Sequence, residues 1–150
     1  LMENGTLYAA KFADDGTGVW MSLSAEATGA ASEGEALIHA RMGGSKVGAT
    51  TMDRPEWVAA NPNKAEVYCC LTNNKNRGIK ENQPLDGANP RAENPYGQII
   101  RWRPMGDDHG SDRFEWDLFL LAGDITGVLH LNLHLLGYLR IFNRFAAQIG

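Results

Sequence analysis

The feature that most constrains this chain is a recurring alternation of short strand-forming runs with Gly, Asp, Asn and Pro turn chemistry. Gly5–Phe12 is rich in β-branched and aromatic residues, Asp14-Asp15-Gly16-Thr17-Gly18 supplies a hairpin turn, and Val19–Leu23 reads as the returning strand. Further along, Trp57–Ala60, the turn Asn61-Pro62-Asn63 and Glu66–Thr72 predict a second hairpin. Gly97–Arg103 and Arg113–Leu121 follow as two more strands, divided by the turn-rich Pro104–Gly110. Chains of this kind bury one face of each strand, and the expected architecture is all-β, an antiparallel meander up to about Asp124. Periodicity leaves a sandwich, a barrel and the antiparallel blades of a propeller equally open.

Two stretches break the rhythm. Ser32 stands three residues before Glu35, the spacing of a capping box, and Ala36, Leu37, Ala40 and Arg41 fit one helical face. One short inserted helix between Ser32 and Val47 is the expectation. Asn73–Pro95 is polar, charged and punctuated by Pro and Gly, which predicts a long surface loop with little to bury.

Residues 125–150 differ again. Leu129, Leu131, Leu133, Leu135, Leu136, Leu139, Ile141 and Phe142 crowd this segment, which has no acidic residue. Gly127, His130, Asn132, His134, Gly137 and Arg140 interrupt any apolar run, so stable membrane insertion is not expected. The chain thus divides into a body, 1–124, and a divergent apolar tail, 125–150. A helix and the product of a shifted reading frame are both readings of that tail.

Composition narrows the chemistry. The 14 Lys and Arg are scattered and the net charge is −4, without the basic footprint of a nucleic-acid binder. Cys69 and Cys70 are adjacent in a strand, where side chains alternate faces, so no disulfide joins them and no zinc ligands stand nearby. Leu1–Gly5 carries none of the parts of a signal peptide. His130 and His134 have helical i, i+4 spacing, but no glutamate follows the first histidine as a zinc protease would need.

The motif with most chemical content is Thr51-Met52-Asp53-Arg54-Pro55-Glu56-Trp57. Proline fixes its own φ and so constrains how Arg54 and Glu56 project. Arginine presents a planar fork of donors suited to phosphate oxygens, and a carboxylate suits a hard cation. Together they can hold an anion beside a metal, although on spacing alone a surface ion pair of Asp53, Arg54 and Glu56 closing a turn is the simpler account. Asn73 and Asn74 end a strand, where amides can meet a cation or a phosphate, or merely form a turn. Asn94-Pro95-Tyr96-Gly97 reads as a turn with an aromatic anchor.

In order along the chain, Gly5–Phe12, Asp15–Trp20, Val47–Trp57, Glu66–Tyr68 with Leu71–Asn74, Ala88–Arg91, Asn94–Gly97 with Ile99–Trp102, and Phe114–Asp124 resemble the PhoX family of bacterial alkaline phosphatases over roughly residues 3–124. The resemblance implies an interior fragment of a longer β-propeller that hydrolyses small phosphate esters with calcium and iron ions. It implies Glu56 as a metal ligand and Arg54 as the catalytic, phosphate-binding residue, with Asn73 a candidate beside it. It further implies a periplasmic or secreted protein, monomeric at full length, because family members leave the cytoplasm folded with their metals. Cys69-Cys70 depart from the β-branched residues usual there, and the likeness stops after Asp124, which leaves most metal ligands outside the chain and the fragment inactive alone. The alternatives are a non-catalytic propeller that binds a ligand, or an inactive truncated remnant.

Overall fold

The first hairpin closes on Asp15, whose Oδ1 accepts the Thr17 backbone N–H at 2.9 Å and the Thr17 hydroxyl at 2.7 Å, while Gly16 takes the left-handed φ of 84° that the turn demands. In the computed structural model, which describes residues 5–123, the strands it joins are β1 (Tyr8–Phe12) and β2 (Thr17–Ser22). Four more strands follow: β3 (Pro55–Ala60), β4 (Val67–Leu71), β5 (Gln98–Pro104) and β6 (Arg113–Leu121). All pairings are antiparallel, in the order β1-β2-β6-β5-β4-β3. The sheet curls into a half-barrel and is all-β, as expected for a propeller fragment. Each predicted strand is present within a few residues.

The order departs from a simple meander. Strands β3 to β6 follow one another, but β2 pairs with β6 rather than β3, so the first hairpin is added to the far side of the sheet. Turn chemistry specifies local hairpins and says nothing about which edges meet later; that choice is made by packing. Here Phe114 on β6 is fully buried among Phe12, Trp20 and the backbone of Gly18, with ring centroids 5.1 Å from Phe12 and 5.2 Å from Trp20. Trp116 stands 5.3 Å from Phe12, edge to face, and its indole N–H donates to the carbonyls of Ala13 and Thr17 at 2.9 and 3.0 Å. The aromatic cluster and this forked hydrogen bond fasten β6 to the hairpin. Cys69, Leu71, Ala88 and Ile100 complete the core.

The single helix expected between Ser32 and Val47 is in fact two, α2 (Glu33–Ile38) and α3 (Ala40–Lys46), and a further short one that was not expected, α1 (Ala25–Thr28), precedes them. Ser32 caps α2 by accepting from Glu35 N, as its spacing predicts. The chain breaks step at His39, with φ −102° and ψ 27°, and α3 starts there without a side-chain cap. Ser24 caps α1 and Gly29 ends it in left-handed geometry.

The segment 73–95 also differs from the surface loop expected. It has almost no regular structure, yet Asn74, Arg77, Ala88, Asn89 and Asn94 are buried in it. Composition misled because this loop buries hydrogen-bonded polar groups instead of apolar ones. The apolar tail, with His130 and His134, lies outside the described residues.

Candidate functional site around Arg54, Glu56 and Asn73

The candidate site is built where the chain leaves the helices and enters β3. Thr72 at the end of β4 donates its backbone N–H to the Arg54 carbonyl at 3.2 Å, which sets the strand end against the turn. This pairing places Asn73 beside Arg54, nineteen residues away in sequence, and an Arg54 guanidinium N–H donates to Asn73 Oδ1 at 2.9 Å. Glu56 on β3 reaches back to within 3.9 Å of the other guanidinium nitrogen. Arg54 and Glu56 are 62% and 46% exposed, so both keep atoms available to a ligand. The three candidate residues are thus neighbours on one exposed face.

Asp53 is not part of that surface group. The turn-closing triple ion pair of Asp53, Arg54 and Glu56 is replaced by an opposite arrangement, in which Asp53 is completely buried and paired with Arg77 at 2.7 Å. Its Oδ1 also accepts from Asn74 Nδ2 at 2.8 Å, and its Oδ2 from Asn94 Nδ2 at 3.1 Å and Gln98 Nε2 at 3.5 Å. The Asp53 backbone N–H donates to Asn89 Oδ1 at 2.9 Å. Burial works to raise the Asp53 carboxyl, but the hydrogen bonds from Arg77, Asn94 and Asn74 and the Arg77 charge outweigh it and hold the group below its ordinary 3.8. Arg77 is equally well satisfied, donating also to the Pro84 carbonyl at 2.7 Å and the Thr51 carbonyl at 2.8 Å. A buried charge pair is costly unless every donor and acceptor is used. Here the Asn side chains of the loop use them.

Arg77, Asn89, Asn94 and Gln98 were not foreseen as a group. The available signal was the repeated Asn-Pro, at Asn89-Pro90 and Asn94-Pro95, in which a fixed backbone aims an amide inward. Asn74 is a turn former, accepting from Asn76 N at 3.0 Å, and also part of the network. In Asn94-Pro95-Tyr96-Gly97 the anchor is not the aromatic. Tyr96 is 52% exposed, whereas Asn94 is buried and accepts from Gly97 N at 3.1 Å.

Glu56 can offer a cation one accessible carboxylate. Among the described residues no group of three or more His, Cys, Asp or Glu side chains converges on a common point, so a multi-ligand metal site is not completed within 5–123.

A family model described as alkaline phosphatase PhoX matches residues 1–133. The chain belongs to the PhoX family. The family match runs past Asp124, where the likeness read from the sequence ends. Among solved structures the chain is similar to Pseudomonas fluorescens PhoX in complex with vanadate, a transition state analogue, at 47% identity and a TM-score of 0.77. That likeness covers 85% of the present chain and 24% of the PhoX chain, so the present chain spans about a quarter of that protein's length. Among curated proteins none matches.

Proposed function

We propose that this chain is the part of a metal-dependent phosphomonoesterase that presents phosphate-binding donors and one metal carboxylate to a site completed by the rest of the protein. The observation that carries this reading is the convergence of Arg54, Asn73 and Glu56 on one exposed face, in a chain 47% identical to a PhoX captured with a transition-state analogue. Arg54 has guanidinium N–H groups beyond the one given to Asn73 and can direct them at phosphoryl oxygens. Asn73, by accepting from Arg54, holds the fork in one orientation, and its amide N–H groups can donate to the same phosphate. In the transition state charge is spread over those oxygens, and fixed donors aimed at them stabilise it.

Glu56 would hold one cation of the calcium and iron set that the family resemblance implies. When bound, such cations screen phosphate charge and activate a nucleophile. Because the chain spans about a quarter of the length of that PhoX, the remaining cation ligands would come from the rest of the protein, and the chain by itself is expected to be inactive. Small phosphate esters are the substrate class. The family likeness supports a periplasmic or secreted location and a monomeric full-length protein, and among the described residues no helix is long and apolar enough to cross a membrane.

The test is a chimera in which residues 5–123 replace the matching quarter of Pseudomonas fluorescens PhoX, assayed on an aryl phosphate with calcium and iron supplied. Phosphate release is expected, with Arg54→Ala lowering kcat by about 10²-fold and Asn73→Ala by less. A folded chimera that releases no phosphate would overturn the reading, as would one indifferent to Arg54.

A further inference from the structure

Arg54 has a backbone φ of 42°, one of three non-glycine residues in the left-handed region among those described. For an L-residue this crowds Cβ against the following carbonyl, and Arg54 is further restricted because it precedes Pro55, whose ring pushes its predecessor toward extended φ. A residue remains in such a conformation only where the structure on both sides over-determines it. Both sides of Arg54 are held. Downstream, its carbonyl accepts from Thr72 N at 3.2 Å and Thr72 Oγ1 at 3.4 Å, and Pro55 pairs with Leu71 at the start of β3. Upstream stands Asp53, with both carboxylate oxygens and its N–H engaged by Arg77, Asn74, Asn94, Gln98 and Asn89.

We propose, resting on the reading of Arg54 as a phosphate binder, that Asp53 is a positioning residue: its buried carboxylate, clamped by Arg77 and the amides of the 74–98 segment, holds Arg54 in the left-handed turn that aims its guanidinium at the Asn73 side of the site. Asp53 has no exposed surface, so it does not touch a ligand. Its effect passes along the backbone, one peptide unit away. The 74–98 segment is accordingly the scaffold of the site, and its irregular path follows from the need to bring four separate donors, at 74, 77, 94 and 98, to one carboxylate. The arrangement also explains why a costly buried charge is used: two oxygens accept four side-chain donors, three from the loop and one from the start of β5, which a neutral amide at 53 cannot do.

The experiment uses the whole chain, isotopically labelled, for the spectroscopy, and the Pseudomonas fluorescens PhoX chimera, in which the site is completed, for affinity, with orthovanadate as the probe. Two quantities are read for the parent chain and for Asp53→Asn: the intraresidue amide-to-Hα nuclear Overhauser effect at residue 54, which is strong only at positive φ, and the vanadate affinity. In the parent the effect is expected to be strong. In Asp53→Asn it should weaken to that of an extended residue while the dispersed resonances of the sheet persist, and affinity should drop about tenfold, which corresponds to one charge-assisted hydrogen bond. A folded Asp53→Asn that keeps both the strong effect and the affinity overturns the proposal. Should Asp53→Asn not fold, Gln98→Met serves instead, removing one of the four donors to the Asp53 carboxylate together with the Gln98 bonds to the Ala88 carbonyl and Asn94 Nδ2: a weakened effect at residue 54 supports the proposal and an unchanged one overturns it. Absence of vanadate binding by the parent chimera would count against the phosphate site, whereas the Overhauser effect still decides whether Asp53 places Arg54.

Discussion

Gly18 on β2 and Phe114 on β6 face each other as register partners, and the Phe114 ring fills the space that a side chain on Gly18 would occupy: a Cβ there would fall 2.1 Å from Phe114 Cε2. This contact lies where the first hairpin joins the rest of the sheet. Gly18→Ala must displace a ring with no exposed surface that is packed on Phe12 and Trp20. The expected cost is about 1–3 kcal/mol, read as a lower urea midpoint. An unchanged midpoint would mean that the ring can move aside freely and that the β2–β6 junction is not tightly packed.

The exposed Arg54–Glu56 pair should behave in the opposite way. At 3.9 Å, with both side chains largely in solvent, the contact contributes little to stability. Glu56→Gln is expected to shift unfolding by less than about 1 kcal/mol. A larger loss would make Glu56 part of the fold rather than a residue left free for a ligand.

Two buried carboxylates make stability fall in acid. Glu66, like Asp53, is held below its ordinary value of 4.5: burial raises it, but hydrogen bonds from Arg103, Tyr68 and Asn61 and the charge of Arg101 prevail. Since each folded-state value lies below the unfolded one, the folded protein binds fewer protons, and the stabilisation is fully present above the unfolded values. It is lost as pH falls through 4.5 for Glu66 and 3.8 for Asp53 toward their folded values. Urea midpoints measured across this range should decline steadily, and Glu66→Gln should flatten the upper part of the decline. A midpoint independent of pH in this window would contradict the direction of both shifts.

The strands were legible because their signals are local. Asp15-Gly16 dictates a turn within a few bonds, and Val67–Leu71 is an apolar run that follows the Asn61-Pro62-Asn63 turn. The meeting of β2 with β6 was not legible, since it depends on Phe114 finding Gly18 across almost the whole body. Of the candidate site, Arg54, Glu56 and Asn73 were found by chemistry and resemblance, and the structure brings them together. Asp53 was misread as a surface charge because its partner Arg77 lies twenty-four residues on, in a loop whose polarity resembles that of a solvated segment. Polarity reports what a side chain can bond to and does not say whether water or protein supplies the bond.

Cys69 and Cys70 are both free, on a strand whose alternation turns Cys69 into the core. Burial raises both thiols above their ordinary value of 9.0, and the neighbouring Cys70 adds to the effect on Cys69. The reactive thiolate is therefore scarce near neutral pH. Alkylation of the native chain at about pH 8 should be slow at Cys69, and two modified thiols should be found only after unfolding in urea. Rapid native labelling at Cys69 would show that β4 opens.

Gly97 gives the sharpest prediction, because backbone rather than side chain blocks any replacement. Its φ is 85°, and a Cβ would lie 2.2 Å from the Leu71 carbonyl oxygen and 3.0 Å from Thr72 Cα. Those atoms belong to the same strand end that carries Thr72 and Asn73, and Gly97 N is itself held by Asn94 Oδ1. Gly97→Ala therefore forces apart β4 and the entry to β5, at an expected cost of about 3 kcal/mol or more. Gly106 provides the control: its φ of 68° is also left-handed, but nothing lies within 4 Å of an added Cβ. Gly106→Ala should cost only the strain of the dihedral, about 1–2 kcal/mol. Equal losses in the two variants, measured side by side by urea unfolding, would show that strain alone explains Gly97 and that the approach of the two strand ends at the candidate site is looser than 2.2 Å implies.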